Sequence, residues 1–367
     1  MFDRRLLENF NWGLLGLTFI FAGVGVATVY SAVTASPDTF QSNLYLKQAT
    51  WYLAGLSAMI PCMILNYRLL ERWAYVLYTA CIGLLIWVLY FGRFAGGSRR
   101  WIDLGVFSLQ PSELIKIALI IVLSQYFARR ARIAGLTIRD LAWPFMLVGV
   151  PFLLIVKQPD LGTALLLVLV AGTMTAFAKI EKRSLICLAA SGLVFVPMIW
   201  FFLKEYQKQR ILTFLNPDRD PLGAGYHIIQ SKIAIGSGML HGKGFLEGTQ
   251  NALAFLPEQH TDFIFSVLAE EWGFIGSTGL LSMFILLLVV CLSIAHSCRE
   301  PFGVYLSVGI TALIFWEVLI NIGMVMGLMP VVGIPLPFIS YGGSSIVAKM
   351  ICVGLLLGVS MRRYMKP

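Results

Sequence analysis

The residues best suited to chemistry lie in FLPEQHTDFIFSVLAEEWGFIG (255–276), where a polar, acidic turn runs directly into an apolar helix. Asp262 stands where the chain is predicted to enter a membrane. A charged side chain at that depth is costly, so it usually marks a functional site or a buried pair. A carboxylate there can serve as a general base or as an ion ligand. The structural alternative is that Asp262 only caps the helix that follows.

The helix after Asp262 carries a narrow face of small and polar residues. Helical spacing from Asp262 reaches Ser266, Ala269, Gly273 and Gly276 on an otherwise apolar helix. Side chains this small allow a neighbouring segment to approach closely, or allow the face to line a cavity. We therefore expect this face to pack against another part of the chain or to border a site.

Further charged residues flank the predicted helices on the same side of the membrane. Arg99 and Arg100 lie in a loop where basic residues suggest an anion to be bound, with contact to lipid phosphates as the alternative. Glu113 and Lys116 begin the next helix three residues apart, and they either face the site or neutralise each other. Asp160 occupies an N-cap position, so capping is its expected role, although it adds another acid to this side.

The segment 204–262 is the only sizeable stretch outside the predicted helices. It contains a basic amphipathic part (204–210), a short apolar stretch (226–235) and a glycine-rich part (236–250). The glycine-rich part lacks Walker spacing, and it either gives flexibility near a site or serves as a linker. Near the C-terminus, MPVVGIPLPFISYGGSS (329–345) has too much proline and glycine for a regular helix. Such backbone at membrane depth must be buried in protein or line a cavity.

The composition excludes a soluble globular protein. The 367 residues are 58% hydrophobic and only 13% charged, and the mean hydropathy is +0.80. No small-residue cleavage site follows the first apolar segment, so we expect a retained helix rather than a signal peptide. The six cysteines lie in or beside apolar segments without CxxC spacing, which favours core packing over metal binding or disulfides. The net charge of +9 indicates topology and anionic lipid rather than nucleic acid.

The apolar segments predict an all-α polytopic membrane protein, with about ten transmembrane helices in a single domain over residues 1–367. Segments long enough to cross a bilayer occur at 12–31, 45–65, 73–91, 112–128, 142–157, 160–178, 185–203, 263–296, 302–328 and 342–361. The short loops decide orientation, and lysine and arginine favour both termini in the cytoplasm. The segment 204–262 is then one long extracytoplasmic loop.

Several long motifs resemble the SEDS family (shape, elongation, division and sporulation). NIGMVMGLMPVVGIPLPFISYGGSS (321–345) is similar to the C-terminal signature of that family. FLPEQHTDFIFSVLAEEWG, GYHIIQSKIAIGSG, RRWIDLG, QPSELIKIA and QPDLGT match the family as well. The resemblance covers nearly the whole chain and is strongest to the elongation branch, with the division branch as the nearest competitor.

The resemblance implies a peptidoglycan glycosyltransferase for cell elongation and rod shape. Such an enzyme polymerises lipid II into β-1,4 glycan strands on the outer face of the cytoplasmic (inner) membrane, and undecaprenyl pyrophosphate leaves. The acidic residue of the family falls on Asp262, which is the predicted catalytic residue. A divalent cation, Mg²⁺ or Mn²⁺, held by Asp262 is a further candidate, although no tight ligand spacing requires one. The predicted substrate-binding residues are Arg99, Arg100, Trp101, Glu113, Lys116, Asp160, Arg210, Lys232, Glu258, His260 and Ser340.

The same resemblance implies partners, and the residues leave a rival function open. The implied partners are a class B penicillin-binding protein, which is a transpeptidase, and the proteins of an elongation complex. The rival is a lipid II flippase, for which polar residues should be spread through the depth of the bundle. Six of the singled-out charged residues gather instead at the outer helix ends, which favours the enzyme: Arg99, Arg100, Glu113, Lys116, Asp160 and Asp262. Glu270, Glu271 and Glu317 lie deeper and support the rival.

Overall fold

A computed structural model describes most of the chain. The described residues are 8–34, 43–95, 98–103, 105, 108–130, 135–187, 190, 200–201, 203–217, 220, 223–253 and 259–363. The predicted span 185–203 lies mostly outside these ranges, and Glu258 lies outside them entirely.

The architecture is a bundle of helices with one small sheet. In chain order the helices are α1 (Trp12–Thr34), α2 (Leu44–Ile64), α3 (Tyr67–Phe91), α4 (Pro111–Arg130), α5 (Ile138–Lys157), α6 (Leu161–Phe177), α7 (Glu205–Leu215), α8 (Ala224–Ser237), α9 (Thr249–Ala252), α10 (Ile264–Ser297), α11 (Pro301–Val325) and α12 (Gly343–Arg362). The other nine predicted spans each coincide with one of these helices. The predicted class, an all-α polytopic membrane protein, is confirmed.

Length and hydropathy separate the membrane-crossing helices from the rest. Seven helices in the described part of the chain are long and apolar enough to cross a bilayer, namely α1, α3, α4, α5, α10, α11 and α12. The helix α6 is apolar but shorter, with 17 residues. Because α4, α11 and α12 are buried over most of their length, they form the centre of the bundle. The outer helices expose large apolar side chains, as expected for a surface that faces lipid.

The loop between α3 and α4 contains a three-stranded antiparallel sheet that was not predicted. Its strands are β1 (Arg93–Ala95), β2 (Ser98–Asp103) and β3 (Ser108–Leu109), in the order β1-β2-β3. With only three, six and two residues, the strands are too short for an alternating pattern to appear in the sequence. The sheet covers the ends of α3 and α4 on the side that carries Arg99 and Arg100.

The helix α10 is broken at Gly273. Its 34 residues would extend about 50 Å, well beyond the roughly 30 Å of a bilayer core. Gly273 has φ 63° and ψ −157°, a conformation open almost only to glycine. The break separates a first part (264–272), buried up to Glu271, from a second part (274–297) that is long enough to cross the membrane alone.

The glycine-rich loop 238–244 satisfies the backbone groups that this break releases. Lys243 and Gly244 donate their N–H groups to the carbonyls of residues 270 and 271, at 3.0 and 3.1 Å. The N–H groups of residues 274 and 275 return to the carbonyls of Met239 and Leu240, at 2.9 and 3.1 Å. A side chain at Gly242 would collide with the backbone of Glu271. The loop therefore packs on α10 as more than a linker, and the prediction that the small face packs closely is confirmed.

Candidate active site around Asp262

Asp262 lies in a tight turn, residues 259–263, which we call the Asp262 turn. Its side chain is partly exposed, whereas residues 263–271 just after it are all buried. The N-cap position of α10 belongs to Phe263, whose carbonyl accepts the N–H of Ser266 at 2.9 Å. Asp262 thus precedes the helix and stands at the boundary between the buried core and the outer surface.

The backbone of this turn is held by a buried asparagine of α11. The Asn321 side chain is fully buried, and its Nδ2 donates to the carbonyl of Asp262 at 2.9 Å and to that of Ile334 at 2.8 Å. Residue 334 belongs to the loop between α11 and α12, residues 326–342, which we call the C-terminal loop. One amide group therefore fixes the Asp262 turn and the C-terminal loop to each other.

The C-terminal loop makes two further bonds to the same turn. Ser340 Oγ donates to the carbonyl of Thr261 at 2.6 Å, and it also accepts the N–H of Leu336 at 2.8 Å. The N–H of Tyr341 donates to the carbonyl of His260 at 2.9 Å. Three successive carbonyls of the Asp262 turn are thus bound, which fixes the position from which the carboxylate projects. Ser340 is 4% exposed, so the contacts seen here give it a positioning role.

The side chain of Asp262 lies against Gly333 of the C-terminal loop. A Cβ at Gly333 would stand 3.2 Å from Asp262 Oδ2, and the φ of Gly333 is +73°. Both observations require glycine here, because another residue would crowd the carboxylate and strain the backbone. The loop is also fixed from outside, since Gln48 Nε2 donates to the Ser340 carbonyl at 3.2 Å and the Tyr52 hydroxyl donates to that of Phe338.

Asp160 and Arg100 meet at the turn before α6, which packs against the C-terminal loop. Asp160 caps α6, because its carboxylate accepts the backbone N–H and the hydroxyl of Thr163 at 3.2 and 3.0 Å. Arg100 donates to backbone carbonyls of the turn before α6 and lies 3.8 Å from the Asp160 carboxylate. Gly162 then contacts Val332, the neighbour of Gly333. The capping role predicted for Asp160 is confirmed, and this turn contacts the C-terminal loop next to Gly333.

Lys232 reaches the other end of the same loop. It is exposed on α8 and lies over Gly327, whose φ is +69°. Ser231 next to it holds α8 in place, since its hydroxyl lies 2.9 Å from Ser266 Oγ and donates to the Val325 carbonyl at 2.6 Å. Gly333 follows Gly327 by six positions, which limits their separation to about 20 Å. Lys232 and Asp262 therefore contact two glycines of the same loop.

The remaining predicted residues have contacts of their own. Arg99 is exposed and donates to the Tyr90 carbonyl at 2.7 Å. Trp101 pairs with Arg93 in the sheet and is partly exposed. Arg210 is partly buried on α7, which packs on α8. The ring of His260 lies 5.9 Å from that of Tyr341.

Glu113 and Lys116 are buried in a cluster that sequence reasoning found only in part. Lys116 Nζ lies 2.7 Å from Glu113 and 2.8 Å from Glu317, and Lys349 Nζ lies 2.9 Å from Glu317 and 3.5 Å from Glu113. We call these four residues the buried charge cluster. They are between 1% and 4% exposed, so their charges are balanced internally and are closed to substrate. The cluster joins α4, α11 and α12.

Glu270 and Glu271, the other two deep acids, also have partners. Glu270 Oε1 lies 2.6 Å from Lys243 Nζ and accepts bonds from Thr249 Oγ1 at 3.2 Å and from the N–H of Gln250 at 3.0 Å. Glu271 accepts the hydroxyl of Ser31. These contacts fasten the glycine-rich loop and α1 to the first part of α10. The deep acids that supported a transporter therefore have structural partners.

Comparisons with known proteins show the family of the chain. Residues 12–365 match the model of the FtsW/RodA/SpoVE family, described as cell cycle proteins. The chain belongs to this family. It is 43% identical to the peptidoglycan glycosyltransferase MrdB of Escherichia coli K12 over 92% of this chain and 91% of the relative. It is 31% identical to the peptidoglycan glycosyltransferase RodA of Treponema pallidum, over 98% and 99% of the two chains.

Solved structures of the FtsW/RodA/SpoVE family share the whole fold. One comes from a peptidoglycan synthase complex studied for the coordination of polymerization and crosslinking. It matches with a TM-score of 0.82 and 34% identity, and the match covers 97% of this chain and 99% of that one. The rod shape determining protein RodA of Thermus thermophilus has a TM-score of 0.70 and 29% identity, with 97% and 98% covered. Both matches cover 97% of this chain, so the likeness extends over nearly the whole fold.

Sequence reasoning gave no individual role to three residues that contact the Asp262 turn. Asn321 was seen only as part of a motif, although a buried amide inside an apolar helix is itself a signal. Gly333 has no side chain to signal a role. His227 lies with its ring 6.1 Å from that of Phe263, and burial lowers its pKa, which favours a neutral imidazole. Its Nδ1 has no hydrogen-bond partner among the described residues.

Proposed function

We propose that this protein is a peptidoglycan glycosyltransferase that polymerises lipid II into β-1,4 glycan strands. The observation that carries the proposal is the carboxylate of Asp262. Hydrogen bonds to three backbone carbonyls hold its turn in place, and the carboxylate faces Gly333. Relatives of the chain are named peptidoglycan glycosyltransferases. Half-exposed placement keeps the carboxylate within reach of a substrate, while its fixed backbone keeps it oriented.

In the proposed reaction Asp262 acts as the general base. It accepts the proton of the GlcNAc 4-hydroxyl as that oxygen attacks the anomeric carbon of the donor. The bond from that carbon to the diphosphate breaks, and undecaprenyl pyrophosphate leaves with the electron pair. A single displacement converts the α-linked donor into a β-linked product. Help of this kind is worth about 10²–10⁴-fold in rate.

The cations that would stabilise the leaving diphosphate differ in availability. Lys232 and Arg99 are exposed on the outer rim, and Arg210 is partly exposed. Arg100 is engaged by the turn before α6, and Lys116 is enclosed in the buried charge cluster. The proposal therefore assigns the diphosphate to Lys232, Arg99 and Arg210, and it leaves Lys116 out of direct contact.

A divalent cation, Mg²⁺ or Mn²⁺, belongs to the same proposal. Among the described residues, no three His, Cys, Asp or Glu side chains are grouped closely enough to hold a metal. The protein would offer the Asp262 carboxylate, and the diphosphate oxygens would supply further ligands, an arrangement common for Mg²⁺. When bound, such an ion would neutralise charge on the leaving diphosphate.

The location and partners also remain proposals. We place the protein in the cytoplasmic (inner) membrane with both termini in the cytoplasm, because the short loops on that side carry more basic residues. We assign it a class B penicillin-binding protein and an elongation complex as partners. Support for the first partner comes from the similar chain in a peptidoglycan synthase complex.

The test is polymerisation of lipid II by the purified full chain, with and without the class B partner. Wild type is compared with Asp262→Asn and with Asp103→Asn, which removes an exposed carboxylate of the outer sheet. We expect glycan polymer from wild type and Asp103→Asn, and a loss of about 10²-fold or more with Asp262→Asn. Polymer from both aspartate variants alike would contradict the assignment of Asp262. Transfer of labelled lipid II across vesicles without polymer from any variant would favour the flippase.

A further inference from the structure

A cavity lined by arginines lies at the end of the bundle opposite the Asp262 turn. The N-terminus of α4 lies on the Asp262 side, since Gln110 just before it donates its N–H to Ser344 Oγ at 3.2 Å. The 20 residues of α4 then extend about 30 Å to its C-terminal arginines. There a cavity of about 530 Å³ opens between α3, α4 and α5. Nothing in the proposed glycosyl transfer uses this cavity.

Three arginines line the cavity, and two of them have carboxylate partners. Arg130 Nη1 lies 2.8 Å from Asp140, and Arg129 Nε lies 3.4 Å from Glu71. Arg139 is exposed, and it has no hydrogen bond or ion pair within the part of the chain that the structure describes. Each paired guanidinium also keeps N–H donors that these contacts do not use. The cavity therefore holds an excess of positive charge and free donors, which fit an anion with several oxygens.

A buried acceptor in the same cavity adds a second requirement. Gln125 is 3% exposed, and its Nε2 donates to the backbone carbonyl of Glu71 at 2.6 Å. Its Oε1 is buried and has no hydrogen-bond partner among the described residues. Leaving a buried acceptor unsatisfied is costly, so a ligand that brings a hydroxyl donor is favoured. The ligand should therefore carry both an anionic group and a hydroxyl.

The outer wall of the cavity is apolar and faces the lipid. Trp143 and Met146 of α5 line the cavity and are 45% and 60% exposed. Trp143 Nε1 donates to the Tyr75 hydroxyl at 3.1 Å, which gives the tryptophan a polar end and an apolar end. Tryptophan in this position is typical of the membrane interface. A soluble anion would leave this wall unused, whereas acyl chains would cover it.

We propose that this cavity binds the headgroup of an anionic glycerophospholipid whose headgroup carries a free hydroxyl. The phosphodiester lies among Arg129, Arg130 and Arg139, and the headgroup hydroxyl donates to Gln125 Oε1 once the Gln125 side chain turns toward the cavity. The acyl chains run along Trp143 and Met146. Phosphatidylglycerol has this chemistry, and basic pockets between membrane helices are a known type of lipid site. The proposal does not depend on the glycosyltransferase activity.

Native mass spectrometry of the full chain in detergent tests the proposal. The protein is titrated with phosphatidylglycerol, with phosphatidylmethanol, which has the same charge and no headgroup hydroxyl, and with zwitterionic phosphatidylcholine. We expect phosphatidylglycerol to bind most tightly, phosphatidylmethanol less tightly and phosphatidylcholine least. Arg139→Gln should weaken phosphatidylglycerol binding about fivefold. Arg299→Gln, an exposed arginine just before α11 at the same end of the bundle, should leave it unchanged.

A separate variant tests the role of the headgroup hydroxyl. Gln125→Leu should remove the advantage of phosphatidylglycerol over phosphatidylmethanol, and comparing the two lipids on wild type keeps this point testable if the variant does not fold. Equal affinity of wild type for those two lipids would overturn the role of Gln125. Equal weakening by Arg139→Gln and Arg299→Gln would overturn the site. Competition by soluble glycerophosphoglycerol at the affinity of the lipid would show that the site takes a free phosphodiester instead.

Discussion

The Asp262 turn and the buried charge cluster use charge in opposite ways, although one helix serves both. Asn321 of α11 holds the turn, and Glu317, one helical turn earlier, belongs to the cluster. In the cluster each lysine contacts two carboxylates, and all four residues are at most 4% exposed. In the turn, the protein binds the backbone and leaves the carboxylate partly exposed beside Gly333.

The difference shows how a membrane protein separates structural charge from reactive charge. A buried charge is stable only when it is fully paired, and full pairing makes it unavailable to a substrate. A reactive carboxylate must stay accessible, so its position is set through neighbouring backbone groups instead. The location of a charged residue within one bundle therefore does not reveal its role, but its hydrogen-bond partners do.

The sharpest test of this comparison removes one lysine from the cluster. Lys349→Met leaves two buried carboxylates with one lysine, and we expect a loss on the order of 3–5 kcal/mol in stability. The apparent melting temperature in a fixed detergent measures it. The matched variant, Glu317→Gln with Lys349→Met, keeps the Glu113–Lys116 pair and should recover more than half of the loss. Unchanged stability together with abolished polymerisation would place the cluster in the active site.

A smaller loss of stability is expected from a substitution where the Asp262 turn meets the C-terminal loop. Gly333→Ala puts a Cβ 3.2 Å from Asp262 Oδ2 at a φ of +73°, so the carboxylate must move. We expect a stability loss of about 1–2 kcal/mol and a fall in polymerisation of about tenfold. The control is Gly135→Ala, at a φ of +91° between α4 and α5, which should cost similar stability and leave activity unchanged. Equal activity losses in both variants would show that strain alone is responsible.

The smallest loss of activity is expected at Ser340, where a variant separates positioning of the turn from substrate binding. Its hydroxyl donates to the Thr261 carbonyl and accepts the N–H of Leu336, at 2.6 and 2.8 Å. Ser340→Ala loses both bonds, at about 1 kcal/mol each, and the turn loosens. We expect kcat for lipid II to fall about fivefold with KM nearly unchanged. A rise in KM at constant kcat would instead support direct substrate binding, as the sequence had suggested.

The sequence alone predicted much of the fold and the centre of the site. Nine of the ten predicted spans are helices, because bilayer thickness sets the length of an apolar segment. Asp262 stood out because a carboxylate beside an apolar helix is costly. The packing of the glycine-rich loop could not be predicted, since glycine signals flexibility and close packing equally well in a sequence. Only the break at Gly273 shows that this loop completes a broken helix.

Composition and hydropathy thus determined the membrane class, the spans and the candidate carboxylate, because these properties depend on short stretches of chain. The tertiary structure decided which charges are enclosed. Glu317 lies 201 residues from Lys116, and Lys349 lies 236 residues from Glu113. No local pattern specifies contacts over such separations. They arise only when α4, α11 and α12 pack together, and that packing leaves Asp262 at the rim and closes Lys116 inside.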